Sequence, residues 1–323
     1  MPARRLKSKG ALVSVLAALV LSLVLSACGG SEGSSEQSAA PVAPGFPVTI
    51  THKFGQTVIP NKPVRVVTVG YNDVDFALAL GVVPVGQREN LGSYDVANRP
   101  WAQQALNGAK PELVGSNQLD VEKIASLRPD LILGVYSYME RPDYDALSRI
   151  APTVADPQDG VAVPWQEQTR ITGQALGEPA RADQVVASVE QKFTDAKAAN
   201  PQFAGKTIAV DLTASGETNS LGTDDLRTQP FTGLGFQVVP TTQALSSEQL
   251  GELNKDGLAV FGADEATVRA NPVFNTLPVV AQGRTAFLGP ETGLFAGAVG
   301  FTSPLSLPYA IDAMVPPLAQ AVR

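Results

Sequence analysis

The chain has 323 residues with 24 Lys and Arg, 31 Asp and Glu, one His and one Cys, and its net charge is −7 at pH 7. This acidic balance argues against nucleic-acid binding, which needs a basic footprint. The single cysteine argues against a disulfide framework or a thiolate metal site, and the single histidine, His52, argues against a Ser-His-Asp triad or a multi-histidine metal centre. We therefore expect a protein that is not an enzyme.

Residues 1–27 are predicted to be a secretory signal peptide. Four basic residues lie in the first ten, an apolar run covers 11–26, and no basic stop-transfer cluster follows it. The run is nearly long enough to span a bilayer, so a transmembrane anchor is the alternative. Residues 25–28, Leu-Ser-Ala-Cys, resemble a bacterial lipobox, in which Cys28 carries a diacylglycerol and becomes the first mature residue. We expect a lipid-anchored protein on the extracytoplasmic face of the cell membrane.

The segment 28–46 is predicted to be a flexible tether, because it is rich in Gly, Ser, Ala and Pro and poor in large apolar residues. Loss of the leader removes four basic residues and no acid, which takes the net charge from −7 to about −11. The rest of the chain is long enough for two ordinary domains.

Short strand and helix patterns alternate along that remainder. Strand candidates are 65–69, 82–85, 131–135, 207–212, 238–239, 258–261 and 285–288, and helix candidates are 73–80, 120–127 and 144–150. Such alternation predicts an α/β fold with mostly parallel sheets covered by helices.

An internal repeat predicts two lobes. Residues 119–127 resemble residues 245–253, and each segment is followed by an acid, Asp130 or Asp256, and then by a strand candidate. Between the lobes, apolar residues from Ala182 to Ala196 fall on one face of a helix that ends before Pro201. Lack of a sustained heptad argues against a coiled coil, so we expect one stiff connecting helix about 30 Å long.

At this point the chain resembles the iron-siderophore-binding lipoproteins. The matching segments are 54–55, 59–60, 62–67, 73–75, 79–86, 122–133, 147–154, 283–284 and 303–309. The resemblance covers nearly all of 47–323. It implies the helix-bridged, class III periplasmic binding protein fold, with an N-terminal lobe at 47–163, a bridging helical segment at 164–202 and a C-terminal lobe at 203–323. It also implies a monomer that captures a ferric siderophore between the lobes and delivers it to an ABC transporter permease dimer.

Ligand contacts are expected on loops at the carboxyl ends of the strands. Aromatic faces would pack the chelate and Arg or Tyr groups would bond its oxygens. The candidates are Tyr71, Arg88, Trp101, Tyr136, Tyr138, Arg141, Trp165, Arg227, Phe231, Phe295 and Phe301. Trp165 and Phe231 have a core position as their alternative, and Arg141 a solvated loop position. These loops offer few cations, which favours a hydroxamate or mixed-type chelate over a triply negative catecholate.

Glu122 and Glu248 occupy the same place in the two repeated segments. Each is near a predicted helix start, where an acid complements the helix dipole and Asp120 or Ser246 would act as the cap. The resemblance implies a different role, in which one glutamate from each lobe pairs with arginines of a permease subunit.

Two alternative functions remain open from the sequence. One is haem binding with a tyrosinate as iron ligand, and the other is a surface adhesion or scaffold role without a transported ligand. The pair Asp224-Asp225 is predicted to start a helix rather than to bind metal, and no resident cofactor is expected.

Overall fold

The structure is a computed structural model that describes residues 45–89, 97–160, 163–214, 216–290 and 292–323. The predicted signal peptide, Cys28 and almost all of the predicted tether lie outside the described residues. Among the helices of the described ranges, none has both the length and the apolar character that crossing a bilayer requires.

The described chain begins with an antiparallel hairpin that the sequence patterns did not predict. Strand β1, Val48–His52, pairs with β2, Gly55–Ile59. Alternate side chains point inward, so that Ile50 and Ile59 join the hydrophobic core of the first lobe.

The first lobe contains a five-stranded, wholly parallel sheet in the order β5-β4-β3-β6-β7. Its strands are β3 (Val66–Thr68), β4 (Gly86–Gln87), β5 (Glu112–Leu113), β6 (Leu131–Leu133) and β7 (Thr153–Val154). Its helices are α1 (Asp73–Ala79), α2 (Pro100–Leu106), α3 (Val121–Ser126) and α4 (Arg141–Leu147). Val66 and Val67 enter different core clusters, which shows that both faces of the sheet are buried.

Two helices connect the lobes. Helix α5, Trp165–Leu176, ends at Gly177, whose φ of 72° suits a glycine C-cap, and α6, Pro179–Ala199, begins immediately after it. Ala182 of α6 packs in the first-lobe core, whereas Val186, Val189 and Phe193 pack in the second-lobe core. The predicted long connecting helix is therefore confirmed, and its apolar face serves both lobes.

The second lobe contains a five-stranded mixed sheet in the order β10-β9-β8-β11-β12. Its strands are β8 (Ile208–Ala214), β9 (Glu217–Leu221), β10 (Gln243–Leu245), β11 (Gly257–Gly262) and β12 (Thr285–Pro290). Strands β8, β11 and β12 are parallel, and β9 and β10 add an antiparallel edge.

Five short helices and one long helix accompany this second sheet among the described residues. They are α7 (Gln229–Gly233), α8 (Glu265–Arg269), α9 (Pro272–Thr276), α10 (Pro278–Ala281), α11 (Leu294–Gly300) and α12 (Ser306–Ala321), with 3₁₀ turns at Pro201–Phe203, Leu226–Thr228 and Ser247–Leu253. The α/β class and the two-lobed, helix-bridged architecture expected from the sequence are confirmed. Both lobes fall within one compact unit.

Two strand predictions were wrong. The segment 82–85 is not a strand because Pro84 has no N–H to donate, and pairing begins only when Val85 N donates to Val66 O. The segment 238–239 is also irregular, since only the preceding residue, Gln237, forms an isolated bridge, with Thr207.

The sequence repeat corresponds to a structural one. Asp130 accepts hydrogen bonds from the backbone N–H groups of Val64 and Arg65, just before β3. Asp256 accepts one from Thr207 N, just before β8. Each acid thus ties the start of one strand to the start of its parallel neighbour. The helix before Asp130 is α-helical, whereas the one before Asp256 is 3₁₀.

Candidate functional site

Three tyrosines gather where β3 and β6 end. These strands are parallel neighbours with Thr68 opposite Leu133, so the loops that follow them leave the same edge of the sheet. Tyr71 N donates to Tyr136 O at 2.9 Å, which joins the two loops. The Tyr136 and Tyr138 rings lie 5.0 Å apart and their hydroxyls share a hydrogen bond of 3.1 Å. The Tyr71 ring lies 6.3 Å from Tyr138.

Phe301, from the second lobe, completes this group. Its ring stacks on Tyr71 with a centroid separation of 5.4 Å and an interplanar angle of 14°. It also meets Tyr136 edge-on at 6.0 Å. We call Tyr71, Tyr136, Tyr138 and Phe301 the aromatic cluster. It offers ring faces from both lobes at their junction. Tyr138, at 44% exposure, is its most accessible member, and the other three are half-buried.

Arg88 contacts the cluster through Tyr71. Its guanidinium lies 4.1 Å from the Tyr71 ring centroid and donates to the Tyr71 hydroxyl at 3.3 Å. It also donates to the backbone carbonyls of Val69, Ser116 and Asn117, and the residue is only 6% exposed. These bonds fix the guanidinium and leave it positioned to orient Tyr71.

Arg227, in the second lobe, lies within electrostatic range of Tyr136 and has its charge paired. Its Nε and Nη2 donate to the two carboxylate oxygens of Asp225 at 2.9 and 2.6 Å. Burial is the main cause that raises the pKa of Tyr136 well above its ordinary value. The hydrogen bond and charge of Tyr138 and the charge of Asp225 raise it further, and the charge of Arg227 lowers it. Tyr136 is therefore a neutral phenol at physiological pH, and the Asp225–Arg227 pair is within electrostatic reach of it.

Three candidate contacts lie in the core instead. Phe231 is fully buried, and Trp165 and Phe295 are 3% and 5% exposed, all within the core of the second lobe. They present little surface to a ligand, in contrast to the cleft positions expected from the sequence. For Trp165 and Phe231 the alternative core position is the one observed. Aromatic size and loop position alone do not reveal which side of a loop a ring occupies.

Trp101 and Arg141 have structural partners. Trp101 Nε1 donates to Asp75 at 2.9 Å, and its ring packs 5.3 Å from Tyr309. Arg141 forms an exposed i,i+4 ion pair with Asp145. It also lines a groove of about 380 Å³ beside Tyr138.

A buried polar network that the sequence patterns missed joins the lobes beneath the cluster. Asp75 accepts from buried Arg99 at 2.8 Å and from Ser303 of the second lobe at 3.1 Å. Asn72 donates to Thr302 O at 3.0 Å. The signal that could have revealed this network is the presence of polar residues in the motif segments 73–75 and 303–309, whose neighbours in the sequence are largely apolar.

Neighbouring Asp73 is fully buried, accepts from Gln168 and from Val135 N, and has a pKa raised to about 7, mainly by burial.

Metal-binding side chains do not converge in the described ranges, where no group of three or more His, Cys, Asp or Glu is suitably placed. His52 is buried and shares a 2.9 Å hydrogen bond with Thr57 Oγ1, and burial lowers its pKa. Asp225 caps the 3₁₀ turn at Leu226–Thr228 through Arg227 N, in agreement with its predicted helix-start role.

Glu122 and Glu248 are both exposed in the first turn of their helices. Asp120 caps α3 by accepting from Lys123 N, and Ser246 forms a capping box with Gln249. Hydrogen bonds from its own backbone N–H and from Ser246 lower the pKa of Glu248, so it stays ionised. The capping residues predicted from the sequence are confirmed, and both glutamates are exposed to solvent.

Comparisons with known proteins agree with this architecture. Residues 66–292 match the family described as periplasmic binding protein (Peripla_BP_2). A relative from Bacillus subtilis (strain 168), the probable siderophore-binding lipoprotein YfiY, is 31% identical over 68% of this chain and 65% of its own length. The chain thus spans just under two thirds of that relative.

Solved structures show the same fold. A periplasmic solute binding protein from Mycobacterium smegmatis str. MC2 155 is 33% identical and superposes with a TM-score of 0.78 over 85% of this chain and 99% of that one. PiaA from Streptococcus pneumoniae TIGR4, solved in complex with ferrichrome, is 25% identical with a TM-score of 0.71 over 85% and 98%. The family match, the two α/β lobes and the bridging helix together show that the chain belongs to the periplasmic binding protein family.

Proposed function

We propose that this chain is the capture component of an ABC-type importer and that it binds a ferric siderophore against the aromatic cluster. The observation that carries the proposal is the meeting of Tyr71, Tyr136 and Tyr138 from one lobe with Phe301 from the other. A siderophore fills the coordination positions of iron itself, so its binding protein needs ring faces and hydrogen-bond donors rather than metal ligands. The aromatic cluster and the Tyr hydroxyls supply both.

The relatives support a siderophore as the ligand class. YfiY is named as a probable siderophore-binding lipoprotein, and PiaA was solved with ferrichrome. Haem, the nearer alternative from the sequence, would need an axial ligand. His52 is buried against Thr57, and the raised pKa of Tyr136 opposes the tyrosinate form. A scaffold role without a ligand does not explain why aromatic rings from both lobes gather at their junction.

Delivery to a permease dimer is the second part of the proposal. Glu122 and Glu248 stand at matched places in the two lobes with exposed carboxylates. Two such acids, one in each lobe, fit two arginine-bearing subunits related by a two-fold axis, and pairs of this kind set orientation and association rate. We further propose that the lipid on Cys28 holds the monomer at the extracytoplasmic face of the membrane, and that it binds rather than transforms its ligand.

Affinity capture tests the ligand class. The mature chain, immobilised through a C-terminal tag, is incubated with supernatant from an iron-starved culture of the source bacterium, and the eluate is analysed by mass spectrometry. We expect an iron-containing chelate whose mass falls by that of iron after reduction and chelation. Recovery of haem, or of no small molecule from supernatant shown to contain ferric chelates, would contradict the proposal.

A further inference from the structure

The two arginines near the aromatic cluster already form hydrogen bonds or ion pairs within the protein. Arg88 donates to three backbone carbonyls and to Tyr71. Arg227 is held by both oxygens of Asp225, and the pair is part-buried, with side-chain exposures of 30% and 18%. The charge of Arg227, which acts electrostatically on Tyr136, is therefore balanced by a carboxylate 2.6 Å away.

The groove beside Tyr138 is balanced as well. It is lined by two cations, Lys53 and Arg141, and by two acids, Glu140 and Asp159. Lys53 lies 3.3 Å from Asp159 and 3.4 Å from buried Asp156. The internal stretches that the structure does not describe, 90–96, 161–162, 215 and 291, contain no Lys or Arg by sequence. They cannot add a cation to this region.

This charge balance discriminates between siderophores of different charge. Three singly charged hydroxamates neutralise ferric iron, whereas three doubly charged catecholates leave the complex with three negative charges. A neutral complex loses little by entering a balanced site. A triply negative complex is attracted by Arg227 but repelled by the Asp225 carboxylate. This repulsion is strong because the site is partly desolvated.

We propose that Asp225 determines the charge class of the ligand: by neutralising Arg227 it favours neutral, hydroxamate-type ferric chelates and rejects strongly anionic ones. This inference rests on the proposed function, since it assigns a specificity role within that same site. Burial alone would raise the pKa of Asp225, but its bonds to Arg227 outweigh burial and hold the pKa below its ordinary value. The carboxylate of Asp225 is therefore ionised at neutral pH.

The test compares two ferric chelates on three proteins. Ferrichrome serves as the neutral probe and a ferric tris-catecholate as the anionic probe, and affinities are measured by fluorescence quenching at low and high salt. Asp225→Asn removes the charge at nearly constant volume. We expect ferrichrome affinity to change by less than about threefold, and tris-catecholate affinity to rise by about tenfold or more at low salt, with the gain shrinking as salt screens it.

Asp224→Asn is the matched control. It removes the same charge from the adjacent residue, whose carboxylate bonds Thr242 instead of Arg227. We expect it to leave the ratio of the two affinities unchanged. In the double variant Asp225→Asn with Arg227→Gln the freed cation is gone, so the gain for the tris-catecholate should disappear. Circular dichroism confirms that each variant is folded.

The outcomes separate this inference from the proposed function. Suppose that the wild-type protein binds ferrichrome, but Asp225→Asn leaves the ratio of tris-catecholate to ferrichrome affinity unchanged, or Asp224→Asn shifts it equally. Either result contradicts the role of Asp225 and leaves the proposed function standing. A gain that persists without Arg227 also contradicts that role. Wild-type protein that binds neither ferric chelate contradicts the proposed function itself.

Discussion

At the scale of single residues, the aromatic cluster depends on one acid outside it. Asp156 accepts from the backbone N–H groups of Ser137 and Tyr138 at 3.0 and 2.8 Å, and from the Ser137 hydroxyl at 3.0 Å. These bonds hold Tyr138 at a φ of 51°, in the left-handed region that a tyrosine rarely adopts. The loop is thus fixed by a side chain from the end of the neighbouring strand, with Tyr136 held near Phe301 and Tyr138 held near Tyr136 and Tyr71.

Replacing Tyr136 and Tyr138 together by Ala should weaken ferric-siderophore binding by more than about tenfold, because two aromatic contacts at the centre of the site are lost. The double Phe variant keeps the rings and removes only the hydroxyls, so it should lose much less. Fluorescence quenching measures both, using the chelate recovered by affinity capture. Unchanged affinity in a folded Ala variant would remove the tyrosines from the proposed contact set.

The buried carboxyl of Asp211 makes stability depend on pH. It lies fully buried on β8, where its Oδ2 accepts from Thr213 at 2.8 Å and its Oδ1 has no hydrogen-bond partner among the described residues. Burial raises its pKa from 3.8 to about 7. The folded protein thus holds a proton that the unfolded chain releases, so stability falls as the pH rises from about 4 to about 7.

Asp211→Asn removes this titration while keeping the shape of the side chain. The variant should gain stability relative to the wild type as the pH rises, by at most about 3 kcal/mol between about pH 5 and about pH 8. Urea unfolding of both proteins at the two pH values measures the difference. Asp73, which is also raised to about 7, remains in both proteins and cancels. A difference in stability that does not change with pH would show that Asp211 does not titrate in this range.

At the scale of elements, the two lobes place matched segments in matched environments. Arg65 donates to the carbonyls of Leu127 and Arg128, just before Asp130. Arg284 likewise donates to the carbonyls of Lys255 and Asp256. In each lobe an arginine therefore ties the segment that follows the glutamate-bearing helix to the start of a strand, β3 in the first lobe and β12 in the second.

Glu122→Arg combined with Glu248→Arg should leave ligand affinity unchanged and abolish uptake of radio-iron-labelled siderophore by cells, because both proposed permease contacts reverse their charge. Each single change should cause a partial loss. The control, Glu167→Arg with Glu190→Arg, makes the same change in charge at exposed positions of α5 and α6, outside the repeat match. Normal uptake by the first variant at wild-type protein levels would show that the two acids serve only their helix starts.

At the scale of the whole molecule, apolar and polar contacts fuse the lobes. Phe76 of the first lobe and Trp165 of α5 lie within the second-lobe core, and Ser303 and Thr302 reach back to Asp75 and Asn72. With α6 packed on both cores, the lobes have little freedom to separate. The site is therefore largely formed before the ligand arrives, as expected for a protein whose aromatic cluster already spans the junction.

The sequence predicted the parts of this molecule that depend on local pattern. Helix α6 and strand β11 follow from apolar periodicity, and Tyr71, Tyr136 and Phe301 from their positions after strands. The parts that it did not predict depend on distant partners. Strand β4 is set by pairing with β3 and β5. The Asp75–Ser303 bond joins residues that are remote in the chain.

Anchoring is tested by the lipobox cysteine, which lies outside the described residues. Cys28→Ala should abolish metabolic labelling with palmitate, because the sulfur that takes the diacylglycerol is gone, and the protein should no longer partition with membranes. Ser31→Ala, three residues further along, is the control and should be labelled normally. Persistent label on the Cys28 variant would contradict the lipoprotein assignment.

The most direct measurement for the account is an equilibrium titration of the purified mature chain with ferric and iron-free forms of hydroxamate, mixed-type and catecholate siderophores, with haem alongside. The account predicts saturable one-to-one quenching by at least one ferric siderophore, and binding of its iron-free form that is weaker by about tenfold or more, because the metal preorganises the chelate for the aromatic cluster. Failure of every ferric form to bind, or tighter binding of haem, would contradict it.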